Sequence, residues 1–259
     1  MDLKEIIDFE KYDITEPEFQ TRAQQILEEK GALVLPDFMK AAAVEAVRAQ
    51  SEADKDKAYF CVQEHNVYLT PPDNKYDMGH PRNRNIISSK GCITDDFVPQ
   101  NSPLRTLYDA AEFQDFLCAV LNEAALFPYA DPLSSINVHY ASNGQELGWH
   151  FDNSSFATTL MIQKPEAGGT FDYVENVRDA DAGEMNFAAV EQVLDGKVDY
   201  KQLSMEPGTL VLFRGRNALH RVAPVIGDKT RILVVLAYNA QPGIALSESA
   251  RKTFYGRLD

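Results

Sequence analysis

His150-Phe151-Asp152, a second histidine at His220 and an arginine at Arg231 are the part of this chain best suited to chemistry. Side chains of an extended segment repeat with period two, so an imidazole and a carboxylate two residues apart project to the same side. A second imidazole from a distant strand completes three donors on one face of a metal. Two His and one carboxylate, with the remaining positions open, suit Fe(II) that must also take up a co-substrate and O2. Arg231 stands eleven positions after His220, at the head of the apolar run Ile232-Leu233-Val234-Val235-Leu236. A guanidinium there is placed to reach past the metal and hold a carboxylate as a bidentate pair. Each piece alone is common in a chain of this size; the weight lies in their coincidence.

The bulk numbers bound the rest. With 259 residues, 44% hydrophobic and 25% charged, the chain reads as an ordinary globular protein large enough to bury one substantial core. A net charge of −14 repels phosphate backbones and anionic membranes, so no nucleic-acid or membrane partner is expected. Cys61, Cys92 and Cys118 are odd in number and contain no Cys-x-x-Cys pair. That disfavours disulfides and zinc knuckles and suits a reducing cytoplasm. The sequence shows no basic and apolar leader and no apolar run long enough to span a bilayer, so a cytoplasmic location is expected.

The elements that must position these residues come in two textures. Thr15-Glu16-Pro17-Glu18 looks like a capped helix start, with Thr15 as the capping hydroxyl, and Gly31 is a plausible stop. Ala32-Leu33-Val34-Leu35 reads as a buried strand, about 40–56 as a second helix, and Leu107 to about Ala125 as a third. Residues 64–103 are rich in Pro, Asn, Asp and Gly, which predicts a long functional loop or lid. From about 132 short strands follow one another: Ile136–Tyr140, Ala157–Gln163, Thr170–Val174, Thr209–Phe213 and Arg231–Tyr238, with a polar insertion near 175–202. Helices first and closely spaced strands after predict a mainly β jelly roll with a helical layer packed outside. We expect one globule, with residues 1–130 forming the helical region and substrate-covering loop, and 131–259 the jelly-roll core.

With the strands placed, the motifs resemble the double-stranded β-helix of the Fe(II)/2-oxoglutarate-dependent oxygenases. Gly148-Trp149-His150-Phe151-Asp152-Asn153, Gly168-Gly169-Thr170-Phe171, Leu212-Phe213-Arg214-Gly215-Arg216-Asn217 and Phe254-Tyr255-Gly256-Arg257 are similar to one branch, the free-amino-acid halogenases and their hydroxylase relatives. His80-Pro81-Arg82 and Asp131-Pro132-Leu133 fit as well, so the resemblance covers residue 75 onward. It implies His150, Asp152 and His220 as iron ligands, Arg231 as the clamp for the distal carboxylate of 2-oxoglutarate, and O2 as the oxidant. It also implies oxidative decarboxylation to succinate and CO2, coupled to attack on a substrate C–H bond. Halogenating members of the branch carry a small residue at the Asp152 position, where chloride enters; a carboxylate there implies a hydroxylase, with desaturation, ring closure or C–N cleavage from the same hydrogen abstraction, or hydroxylation of a protein side chain, as the alternatives.

Further residues are candidates by position. Asn137 and Tyr140, on a strand that should line the barrel, are expected to donate to 2-oxoglutarate. Arg82 and Arg84 in the long loop are candidate clamps for a substrate carboxylate, with Arg214 and Arg216 as lesser ones. Asn153, just past Asp152, and Trp149, just before His150, are candidate substrate contacts, although Trp149 falls on the strand face opposite His150. His65, His80 and His139 are not expected to be ligands, because the triad is complete without them. The expected partner is a small-molecule substrate, a free amino acid or related carboxylate; a homodimer is compatible with the sequence.

Overall fold

The structure is a computed structural model that describes residues 1–203 and 205–259. Its helical layer comprises α1 (Leu3–Ile6), α2 (Pro17–Lys30), α3 (Ala41–Ala53), α4 (Pro103–Asp109) and α5 (Ala111–Leu121). The cap of α2 is the Glu16 carboxylate, which accepts from the Phe19 amide at 2.7 Å, rather than Thr15, whose hydroxyl donates to Asp13 instead. Gly31 ends the helix in the left-handed region at φ +64°, where a side chain is strained. The helix expected from Leu107 onward is two helices that meet at Ala110, which caps α5 in an extended conformation.

The strands are β1 (Ala32–Leu35), β2 (Tyr59–His65), β3 (Ile86–Ile93), β4 (Ile136–Ala141), β5 (Leu147–His150), β6 (Ala157–Gln163), β7 (Ala167–Gly168), β8 (Phe171–Val174), β9 (Lys201–Leu203), β10 (Leu210–Phe213), β11 (Leu219–Val222), β12 (Val225–Ile226) and β13 (Arg231–Leu236). Their order is β1-β10-β6-β13-β4-β3-β5-β11-β8-β9, with β2 on β3 and a separate β12-β7 pair. Every pairing is antiparallel. From β4 onward the chain passes back and forth between β4, β6, β10 and β13 on one side and β5, β8, β9 and β11 on the other. That winding makes a curled, open half-barrel of jelly-roll type, as the strand spacing predicted.

Alternation along the strands divides the interior. Ile136, Val138, Leu160, Leu210, Leu212, Ile232, Val234 and Leu236 face outward into one apolar cluster with Leu27, Val47, Phe113, Phe116 and Val120 of the helices. Fully burying one such side chain is worth about 1.5–3 kcal/mol, so this layer fixes the orientation of the sheet. The residues between them, among them Thr159, Val211, Phe213, Arg231, Leu233 and Val235, face the hollow of the barrel. Two late helices, α6 (Phe187–Leu194) and α7 (Glu248–Tyr255), complete the chain. α6 packs with Phe151 and Leu219 behind the site, and Phe254 of α7 lines the hollow.

One expectation is corrected here. Residues 64–103 are not one loop: Ile86–Ile93 is a strand between β4 and β5, paired along its length with β2. The long irregular stretch is the connection between β2 and β3, and its residues Asn66 and Leu69–Pro72 line the mouth of the hollow.

Candidate active site

β5 and β11 bring the three candidate ligands together because His150 and His220 are direct cross-strand partners. Their rings lie 4.2 Å apart between centroids. The chain turns out of β5 through Phe151, which is fully buried against Tyr68 and so anchors the turn that aims Asp152 back at both imidazoles. Asp152 Oδ1 lies 3.7 Å from His150 Nε2 and 3.5 Å from His220 Nε2. One donor atom from each of the three falls within 4.8 Å of the others, the spacing of three ligands around a single ion.

The donor chemistry fits Fe(II). Nδ1 of His150 donates to the Gly148 carbonyl at 2.8 Å, and Nδ1 of His220 to the Ala218 carbonyl at 3.0 Å. Both bonds fix the tautomer that leaves Nε2 free to bind metal. Burial, reinforced by His220, pushes the His150 pKa down to about 3, so its ring is neutral, as a ligand must be. Burial pushes the Asp152 carboxyl up, but the two imidazoles and Lys90 outweigh it and hold it below the usual carboxylate range. Its Oδ2 is buried without a hydrogen-bond partner, a costly state that a cation relieves. The backbone of Gly215 closes the far side: a Cβ there would collide with Asp152 Oδ2 and stand 2.9 Å from His220 Cε1.

Arg231 is 4% exposed on the inner face of β13, and its Nε and Nη2 have no hydrogen-bond partner. Burial pushes its pKa down to about 10, so the guanidinium stays charged at neutral pH. An unpartnered buried cation in a cavity wall is a fitting receptor for a carboxylate. The cavity holds about 970 Å³ and is lined by all three triad residues, Arg231, Lys90, His139, Phe171 and Leu233, with Ser249, Thr253 and Phe254 of α7 closing one side.

The remaining candidates divide. Tyr140 points the wrong way: it is fully buried in the helix-facing core and donates to the Ser51 carbonyl at 2.7 Å. Asn137 and Tyr140 are three apart on one strand, so period two forbids both from facing the hollow. Asn137 is itself committed, donating to the Leu133 and Ile136 carbonyls and accepting from the Tyr255 hydroxyl. Arg84 pairs with Asp195 at 2.6 Å at the surface. Arg82 donates to the Pro71 carbonyl and lies 5.8 Å over the Tyr68 ring. Trp149 packs under Arg221, at 4.8 Å, on the face away from His150. Neither arginine of the loop nor Trp149 lines the cavity, whereas Asn153 does, at its exposed rim. Arg214 donates to the Leu121 carbonyl, and Arg216 holds Asp181 and the Asn153 carbonyl. His65 lines the cavity but bonds Ser88, and His80 stacks on Tyr76. Sequence reasoning missed Lys90, which lines the cavity, and the role of Gly215 behind Asp152 and His220. Only the glycine left a signal, in Arg214-Gly215-Arg216 just ahead of His220.

A family model described as halogenase D matches residues 15–254 of the chain. Among solved structures, a 2OG-Fe(II) oxygenase family oxidoreductase from Burkholderia pseudomallei is similar, at 14% identity with a TM-score of 0.54 over 87% of this chain and 92% of that one. The non-heme alpha-ketoglutarate-dependent carbocyclase SnoK from nogalamycin biosynthesis gives 13% identity and a TM-score of 0.58 over 89% of each chain. A prolyl-4-hydroxylase of Pseudomonas putida gives 12% and 0.51 over 84% of this chain and 98% of that one. At these identities the likeness is one of fold. No curated protein matches by sequence.

Proposed function

Because this chain belongs to the halogenase D family, within the Fe(II)/2-oxoglutarate oxygenases, we propose that it hydroxylates an unactivated C–H bond of a small carboxylate metabolite, a free amino acid or near relative. The observation that carries the choice of hydroxylation over halogenation is Asp152. Its carboxylate stands between the two imidazoles, in the position that the halogenating branch members leave to chloride.

Bound Fe(II), with 2-oxoglutarate and O2, supplies the oxidising power and yields succinate and CO2. The chain's own residues do the rest. His150, Asp152 and His220, which line the cavity together, would hold the metal. Arg231, its Nε and Nη2 unpartnered, binds the distal carboxylate of the co-substrate. Phe171, Phe213 and Leu233 exclude water around it, which strengthens the pairing. A cavity of about 970 Å³, covered on one side by α7, has room for the co-substrate and a small second molecule, which supports a free metabolite.

Succinate formation by the purified, Fe(II)-loaded protein against a panel of free amino acids tests this. Substrate-dependent succinate, absent from His220→Ala, is expected; no stimulation by any carboxylate would overturn it.

A further inference from the structure

Lys90 is a second cation in the cavity wall that the roles above do not use. Its ammonium lies 3.3 Å from both ring nitrogens of His139 and 5.7 Å from the Phe254 ring of α7. It forms no salt bridge with any described residue. His139 brings no compensating charge. Burial, with Lys90 and Arg231 nearby, holds its pKa well below the usual imidazole range. Among the described residues, the only carboxylates lining the cavity are Asp152, committed to the metal, and Glu64, exposed at the rim.

The sheet fixes where this cation stands. Arg231 of β13 pairs with Ala141 of β4, and Lys90 of β3 stands one position beyond the Gly91–Tyr140 pair in the same row. Two strand spacings, roughly 10 Å, therefore separate the two backbones. Lys90 is the nearer to the ligands along the sheet: β3 lies directly beside β5, which carries His150, and β13 lies two strands beyond β3. Counting charge, a divalent metal offsets a dianionic co-substrate and Arg231 offsets Asp152. The ammonium of Lys90 remains, desolvated and unbalanced, in the part of the cavity open to a second molecule. Burial lowers the Lys90 pKa, and an incoming anion offsets that penalty while keeping the ammonium charged.

We propose that Lys90 is the anchor for the carboxylate of the organic substrate, separate from the hold of Arg231 on 2-oxoglutarate, so that the enzyme accepts a carboxylate and rejects its neutral amide. The proposal rests on the function proposed above and replaces Arg82 and Arg84 in the clamping role.

The test uses the full chain loaded with redox-inert Zn(II) and 2-oxoglutarate. The probe is whichever free amino acid best stimulates succinate release by the wild type, beside its carboxamide. Calorimetry should show Lys90→Met weakening the amino acid by about one to three decades. Wild type should discriminate acid from amide by a similar factor and Lys90→Met should not. Affinity for 2-oxoglutarate should change less than about threefold. Lys90→Gln, which keeps a polar group in the site, serves as a second variant, and melting curves confirm that both fold. Undiminished acid-over-amide discrimination in both variants, or a loss confined to 2-oxoglutarate, would overturn the assignment. Absence of any carboxylate-stimulated succinate from the wild type would instead overturn the proposed function, and the anchor with it.

Discussion

Replacing Arg231 with methionine separates a functional cation from a structural one. The guanidinium is 4% exposed, with Nε and Nη2 unpartnered, and burial takes its pKa from 12.5 to about 10. At about 1.4 kcal/mol per pH unit, the charged form costs the folded protein on the order of 3 kcal/mol while no carboxylate is bound. The sign is that of a base with a depressed folded pKa: the penalty is full below about pH 10 and is relieved as pH rises from there toward the unfolded value. At pH 7.5 Arg231→Met should therefore stabilise the ligand-free protein, raising its Tm by at most about 6–12 °C for a chain of this size. The same substitution leaves the distal carboxylate of 2-oxoglutarate without a partner and should weaken it by about 2–5 kcal/mol, one to three decades or more in Kd. Wild type should gain about 2.7 kcal/mol at a hundredfold excess of 2-oxoglutarate over its Kd, and the variant almost nothing at the same concentration. Scanning fluorimetry of the Zn(II)-loaded protein, with and without 2-oxoglutarate, reads both effects. A variant that melts lower without ligand and keeps its affinity would refute Arg231 as the clamp.

Gly215→Ala should fold yet lose the visible charge-transfer band of anaerobic Fe(II) and 2-oxoglutarate, because its Cβ would sit 2.6 Å from Asp152 Cγ; an intact band would show that the loop yields. Tyr140→Phe should lower stability by about 1–3 kcal/mol through the orphaned Ser51 carbonyl, with 2-oxoglutarate affinity unchanged by calorimetry. Arg84→Ala breaks only a surface pair with Asp195 and should shift denaturant stability by less than about 1 kcal/mol, leaving the KM for substrate alone.

The legible parts of the sequence were those where periodicity and chemistry agree. The apolar alternation of β4, β6, β10 and β13 reports a sheet covered on its outer face by helices, and the His-x-Asp spacing reports two donors on one face. What stayed hidden is where function breaks the pattern. β3 reads as loop because its inward residues, Ser88 and Lys90, are polar groups that face the cavity instead of a packed core, so the alternation that marks a strand is absent. Lys90 is hidden with it, while the visible cations of the connecting loop, Arg82 and Arg84, bond Pro71 and Asp195 instead of lining the cavity. Period two forbids Asn137 and Tyr140 from sharing a face, but only the placement of His139 in the cavity wall shows that Tyr140 is the one turned to the core. α7 was read only through its closing Phe254-Tyr255, because a short helix with a polar outer face gives little apolar signal before it packs.

The most direct test of a hydroxylase built on Asp152 is the mass of the product formed under ¹⁸O2 in bromide buffer. Wild type should yield a product carrying one ¹⁸O and no bromine, because Asp152 fills the position that halide would need. Asp152→Gly should lose that product and brominate poorly, if at all, since one substitution supplies no further contacts to hold halide. A wild-type product with the paired isotope pattern of bromine would contradict Asp152 as a metal ligand, and the hydroxylase assignment with it.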